Sequence, residues 1–550
     1  MQNPSFTLQS NLVDIPARAV RPVTLTVETG RIAAITPTSP DAADHDSAGF
    51  ILPGFIDAHV HVESSMLTPA HFAAAAVVHG SVGSVSDPHE IANVLGMEGV
   101  RFMLDNAATV PFKFAFGAPS CVPATTFETA GATLSVDDVA ALLDDDRIYY
   151  LSEVMNFPGV LGGDPDLLAM IAAAQRRGKP IDGHAPGLRG DEAKRYHAAG
   201  ISTDHECFTK AEALDKLDAG ATILIREGSA ARNFEALFPL IDEFPGRVML
   251  CSDDKHPDEL VHGHLDALVR RAVADGADVF NVLQAACLTP VEHYGLPVGQ
   301  LRVGDPADFI EVDSLTGFHV QRTFIDGVCV AEGRASKIEV LPAEAINRFE
   351  CSPKSAADFA VPAVADRKLR VIEAIDGQLV TNAVELEPHI VGDQATADPS
   401  RDLLKIAVVN RYADTPPAVG FVTGFGLQRG AIAGSVGHDS HNIVAVGASD
   451  DELAAAVNAV IEKRGGLAAV DGERVETLAL PVAGLMSLES CETVADAYEA
   501  LDHLTKAMGS DLRAPYMTLS FMALLVIPRL KLSDRGLFDG EQFEFCELWV

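Results

Sequence analysis

The sequence predicts an α/β fold: a (β/α)8 barrel, a small β-domain built from both of its flanks, and an additional C-terminal α+β domain. Three observations predict it. Between about Phe55 and Leu288, eight short apolar or small-residue runs recur: "GFIDAHV", "GSVGSVSD", "FKFAFGAPS", "RIYYLSEV", "KPIDGHA", "GISTDHE", "ATILIRE" and "RVMLCSDD". Helical stretches lie between most of them, and strands alternating with helices imply right-handed crossovers around a parallel sheet. The polar residues that follow these runs fall at their C-terminal ends, where a barrel displays its reactive groups. An open doubly wound sheet is the rival, since strand count alone does not exclude it.

Taken in order, "VTLTVETGRIAAI" from Val23 reads as strands with a turn. So does "VGQLRVGDPADFIEVDSLTGFHVQRTFIDGVCVAEG" from Val298. Residues 1–50 and 296–341 are therefore expected to pair as one small β-domain beside a barrel spanning 51–295. The clearest barrel helix is "DPDLLAMIAAAQRRG", with Asp164 as N-cap, Pro165 at the first position and Gly178 at the C-terminal end. Beyond about Pro342 the pattern resets with "RVIEAIDGQLV", "LLKIAVVNRY" and the Gly-rich "FVTGFGLQRGAIAGSVGHDSHNIVAVG". Residues 342–550 are expected to form the separate α+β domain.

Composition narrows the class of partner. The formal charge is −37, from 41 basic and 78 acidic side chains. Such a surface repels phosphate backbones, and no basic stripe overrides it, so nucleic acid is not an expected partner. The eight cysteines are far apart and form no C-x-x-C pair, which argues against a disulfide scaffold and a zinc ribbon. The start lacks the basic and apolar regions of a signal peptide, and the longest apolar run, "FMALLVIP", is too short to span a bilayer. A reduced, soluble, cytoplasmic protein is the expectation, and the large apolar fraction favours a homo-oligomer, dimer or tetramer.

The strand ends form a set. "PGFIDAHVHVES" places His59 and His61 at i and i+2 on one strand, on the same face about 7 Å apart along the backbone. Asp87 and His89 end the second strand, Glu153 the fourth, His184 the fifth, His205 the sixth and Asp253 the eighth. Each alone also reads as a satisfied structural residue. Together at one end of successive strands they suit a metal of the Mn, Fe or Zn type, and lack the thiolates of a structural zinc site.

This set resembles the amidohydrolase superfamily, whose members hold one or two metals with a His-x-His pair, two further histidines and a last-strand Asp. The longer strings "DAHVHVESSMLTP", "SDPHEIANVLG", "SEVMNFPGV", "GHAPGL", "STDHEC", "CSDDKHP" and "GHDSHNI" look like the adenine deaminase family, from about residue 50 to the end. The resemblance implies a dinuclear centre and hydrolytic deamination of adenine to hypoxanthine and ammonia. Many relatives bridge their metals with a carboxylated lysine from the fourth strand; here that strand ends on Glu153, which bridges two cations directly. The assignment is one metal on His59, His61 and Asp253, the other on His184 and His205, with Glu153 between them. Mn2+ or Fe2+ is expected, and Zn2+ is compatible with the same donors.

Bridging two cations lowers the pKa of water toward neutrality. Asp253 is expected to act as general base and then acid. His89 is the first candidate to donate to N1 of the purine, with Glu90, Glu206 and His256 behind it. His438, Asp439 and His441 of "GHDSHN" are expected to reach over the barrel mouth and help close the purine pocket, although the string also reads as a surface turn. Two alternatives remain: a cyclic amidase of the hydantoinase or dihydroorotase type, and a non-catalytic scaffold. A cytidine-deaminase fold is excluded, because the H-x-E with P-C-x-x-C signature is absent.

Overall fold

A computed structural model describes residues 4–38, 49–229 and 231–550. The eight predicted barrel strands are Phe55–Val60, Ser81–Ser86, Lys113–Ala118, Ile148–Val154, Ile181–Gly183, Thr203–Asp204, Thr222–Arg226 and Val248–Cys251. The first five form one parallel sheet and the last three another. Ser202 N donates to Ile181 O at 2.8 Å and joins the two arcs. Asp253 N donates to His59 O at 2.9 Å and closes the ring. The barrel is therefore complete. "KPIDGHA" and "GISTDHE" shrink to three and two strand residues because their polar ends leave the ladder to face the site.

The helix Pro165–Arg176 starts as its sequence dictates: the Asp164 side chain accepts from the N–H groups of Asp166 and Leu167. Leu167, Met170, Ile171 and Ala174 fall at helical spacing and are buried against the sheet. Arg177 is the last capping position, and Gly178 follows in the left-handed region at φ 65°.

The two flanks of the barrel pair as expected. Phe6–Asp14, Ala19–Glu28, Arg31–Pro37 and Phe50–Pro53 share an eight-stranded sheet with Phe309–Val312, Val320–Ile325, Val328–Glu332 and Ala335–Ser336. The seam is Phe50–Pro53, antiparallel to Phe309–Val312 and parallel to Asn11–Leu12. Leu25, Val27, Ile51, Phe309 and Phe324 form its apolar side.

The C-terminal part holds a second eight-stranded sheet, running from Thr381–Leu386 at one edge to Arg474–Ala479 at the other. The helix Asp450–Lys463 covers one face, packing Leu453, Val457 and Val460 against Ala433, Ala445 and Ala468. Two adjacent antiparallel strands of this sheet, Ala431–Gly434 and Ile443–Gly447, are joined by residues 435–442. That connection contains "GHDSHN" and is buried, so it is not a surface turn. One apolar core runs without interruption from barrel residues such as Ile91 and Val94 to Leu404, Ile406, Val482 and Met486 of the C-terminal part. Among the described residues, no helix is long and apolar enough to cross a membrane.

Candidate active site

The predicted strand-end residues converge. His59 and His61 leave the first strand with ring centroids 4.9 Å apart and nearly perpendicular planes. His59 stacks on His205 at 4.1 Å. The Glu153 carboxyl group lies at the centre. One oxygen accepts from His184 Nδ1 at 2.7 Å and lies 3.1 Å from His205 Nε2. The other is 3.5 Å from both His61 Nε2 and His89 Nδ1. Asp253 Oδ1 stands 3.2 Å from His61 Nε2 and 3.6 Å from His59 Nε2.

These donors form overlapping groups whose ligand atoms lie within 4.8 Å of one another: His59–His61–Asp253, His59–Glu153–His205, His184–His205–Glu206, and His61–Asp87–His89–Glu153. The last set keeps His89, a member of the strand-end set that the assignment gave to purine N1, within reach of the same centre. Both ring nitrogens of His59 are buried with no hydrogen-bond partner, as are His89 Nδ1 and Asp87 Oδ2. Burying such groups unpaired costs about 1–3 kcal/mol each, a cost that a coordinated cation removes. His61 Nδ1 meets the backbone oxygen of Asp87 at 3.3 Å, leaving Nε2 for the centre, as is usual for a ligating imidazole. The donor set fits divalent metal.

The electrostatics point the same way. Burial, with His205 and His61 alongside, holds His59 well below its ordinary range, so it stays neutral. Burial raises the Glu153 carboxyl, but His184 and His205 outweigh it and hold the group well below its usual range. Asp253 is likewise kept ionised against burial, chiefly by Arg226 and then by His61. Its backbone lies in the left-handed region at φ 57°, a strained conformation of the kind found at functional sites.

Arg226 was not among the predicted residues. It ends the seventh strand, buried, with Nη1 and Nη2 donating to the two Glu206 oxygens at 2.6 and 2.7 Å and Nη1 also to Asp253 Oδ2 at 2.5 Å. The signal was an arginine after "TILI", because a buried guanidinium needs carboxylate partners. Both Glu206 oxygens thus accept from Arg226, and Glu206 lines the cavity at the strand ends.

Residues 435–442 do reach the barrel mouth. His438 Nδ1 and His441 Nε2 each meet one oxygen of Glu90 at 2.5 Å. Asp439 Oδ1 is 4.0 Å from His89 Nε2, and Glu90 Oε1 is 3.5 Å from it. The loop is held by Tyr412 Oη, which donates to Ser440 O at 2.6 Å, and by Asn442 Nδ2, which donates to Thr129 O at 2.9 Å. His438 and Asp439 line the cavity together with the strand-end residues. His441 stands behind Glu90. His256 is not part of this cavity: its Nδ1 pairs with Tyr498 Oη at 2.8 Å, and burial lowers it to about 3. Adjacency to Asp253 in sequence does not carry over into space, because the chain turns away at the helix Pro257–Leu260. An apolar wall also went unpredicted. Leu379, Phe521, Leu524, Val526 and Ile527 line the same cavity as the strand-end residues. Four of the five come from "FMALLVIP", the run first noted only as too short for a membrane.

Comparison with known proteins agrees with this arrangement. Residues 50–330 match the model of the amidohydrolase family, and residues 378–544 match that of the adenine deaminase C-terminal domain. A Salinibacter ruber protein named adenine deaminase is 58% identical over 548 residues, covering 99% of both chains. One from Sulfurovum sp. is 55% identical over 98% of this chain and 99% of its own. One from Methanosarcina mazei is 50% identical over 98% of each. With the ligand set, the loop over the barrel mouth and full-length identity in agreement, the chain belongs to the adenine deaminase family of amidohydrolases.

Proposed function

We propose that this enzyme hydrolyses adenine to hypoxanthine and ammonia, using two divalent ions held by the residues at the strand ends. The observation that carries the reading is the Glu153 carboxyl group, one oxygen turned to His184 and His205 and the other to His61 and His89. On this reading His59, His61 and Asp253 would hold one ion and His184 and His205 the other, with Glu153 shared between them; Mn2+ or Fe2+ suits the donors best, and Zn2+ is compatible. When bound, the ions supply the Lewis acidity that makes water a nucleophile at neutral pH.

The chain's own residues do the rest. Asp253, ionised by Arg226, takes a proton from the attacking water as its oxygen bonds to C6. Burial lowers His89, but Asp87 and Glu90, 3.3 and 3.5 Å from its two ring nitrogens, outweigh it and hold the imidazole well above its ordinary range, so a ring N–H is there for purine N1. His89 gives N1 its proton as the oxygen bonds to C6; Asp253 then passes its own to the exocyclic nitrogen, the C6–N bond breaks and ammonia leaves, and the remaining hydroxyl proton returns to His89 as the C6 carbonyl of hypoxanthine forms. Asp439 stands beside His89 as a further purine contact. Glu90, fixed by His438 and His441, keeps the loop over the mouth and limits bulk water. Residues 1–50 with 296–341 support the barrel of 51–295, and 342–550 supply the cover. Eight free cysteines fit a reduced cytoplasmic setting, and exposed Phe543 and Phe545 offer an apolar surface for a homo-oligomer.

The test is ammonia release from adenine, adenosine and cytosine, with ring opening of dihydroorotate followed alongside, on metal-loaded protein. Turnover of adenine above the others is expected. Turnover of dihydroorotate alone would favour a cyclic amidase, and full metal without turnover of any of them a scaffold.

A further inference from the structure

The apolar wall of the cavity is made from two pieces of chain far apart in sequence: Leu379, in the turn before Thr381–Leu386, and Phe521–Ile527, after the helix Pro515–Ser520. At their base the pieces are tied like paired strands. Thr381 N donates to Pro528 O at 3.1 Å, Arg529 N to Thr381 O at 3.2 Å, and Thr381 Oγ1 to Leu530 O at 2.8 Å. At the cavity end, beyond the apolar packing of Leu379 with Phe521, Leu524 and Ile527, the polar tie among the described residues is a single side chain. Lys531 Nζ donates to Leu379 O at 2.7 Å and to Phe521 O at 2.9 Å.

That lysine is fully buried. Among the described residues it forms no salt bridge with a carboxylate. Two carbonyl dipoles are a thin compensation for a buried ammonium, which ordinarily demands a charged partner. Burial alone pushes the amine down to about 7. The wall is therefore held at its free end by a weak clasp and at its base by a firm one.

Phe521 is also where two hollows meet. Its ring stacks on His438 at 4.9 Å with planes 18° apart, facing the catalytic cavity. The same residue lines an outer cleft bordered by Gln378, Tyr498, Arg513 and Met517. Among the described residues, no other lines both. Swinging this one segment would join cleft and cavity, whereas residues 435–442 are fixed to Glu90 and to the barrel.

We propose that Lys531 is a positioning residue that clasps the wall over the metal ligands, and that Phe521 is the door through which the purine enters from the outer cleft. The proposal rests on the reading that adenine is deaminated in this cavity. It acts on access, not on the chemical step, so loosening the clasp should change KM and shielding more than kcat.

The experiment compares full-length, metal-loaded wild type with Lys531→Met, which fills similar volume without donors, and with Phe521→Ala, which opens the wall while leaving the lysine. Metal content, Tm, adenine kinetics and the half-time of metal loss to excess EDTA are measured on each. For both variants, unchanged metal content, a KM about tenfold higher, kcat within about twofold, and roughly tenfold faster metal loss are expected. Wild-type KM and wild-type metal loss in a folded Lys531→Met protein would overturn the clasp. If Lys531→Met fails to fold, the lysine is structural and the clasp is overturned, while Phe521→Ala still decides whether that ring is the door. Because metal loss is read without substrate, a protein inactive on adenine but responsive to EDTA refutes the deaminase reading and leaves the clasp standing.

Discussion

Replacing Glu153 with Gln keeps the shape of the side chain and removes its charge. Two imidazoles on one oxygen and two near the other would then face a neutral amide, one end of which donates, so metal occupancy should fall sharply on elemental analysis. Full metal and full activity in Glu153→Gln would defeat the bridging role. Asp253→Asn is a cleaner probe of proton transfer, because Asn tolerates the left-handed backbone at this position and Arg226 keeps Glu206. Turnover should drop by about 10²–10⁴-fold, with metal measured on the same sample. Near-normal rates in a fully metallated variant would exclude the shuttle. A third residue speaks to acid stability. Asp266, away from the site, is brought down to about 2 against burial by His79, the His264 N–H and Arg270. Its folded value lies below the unfolded one near 3.8, so its contribution is full above pH ~4 and is lost as pH falls through 2. Wild type should exceed Asp266→Asn by about 2 kcal/mol at neutral pH. The gap in Tm should close between pH 5 and 2, and a gap that stays constant would show the ion pairing to be irrelevant. At this scale the sequence displayed the ligands because strand spacing places them. It concealed Arg226 and misdirected His256, since the partners of both lie far along the chain or away from the site.

Residues 435–442 are one loop between neighbouring strands, and their reach is set by the sheet behind them. Removing one of its two hydrogen bonds to Glu90, in His441→Ala, should raise KM or lower kcat for adenine while the metal content stays at the wild-type value. Unchanged kcat/KM would reduce the pair His441–Glu90 to packing. The barrel strands were legible because each is a short apolar run buried on both faces and punctuated by polar residues. The wall at 521–527 was not, because an apolar run reads alike whether it fills a core or faces a substrate. Only its neighbours, Leu379 and Lys531, reveal which.

The apolar core that joins barrel and C-terminal part bears on how the molecule can be divided. A chain ending near Glu344 would uncover Ile91, Val94 and Leu67 along with the rest of that shared face. It should aggregate or melt far below the full-length protein, as light scattering and calorimetry would show. A soluble, metal-binding truncation would mean that the shared core is dispensable. The division into barrel and appended domain was readable from pattern resets; their fusion into one core was not, since each half is amphipathic by itself.

Glu90 and His441 are 351 residues apart. At ribosomal rates that separation takes roughly 20 to 70 s to synthesise. For the part of that time after Asp253 has been made, the nascent barrel presents its histidines and carboxylates without the loop or wall that will cover them. Any cation that binds early does so in an open cup, under the selectivity of the surrounding solution rather than that of the finished site. Were metal taken up in that interval, the choice of ion would be a matter of timing: it would follow what is available to the chain before its last third has been made.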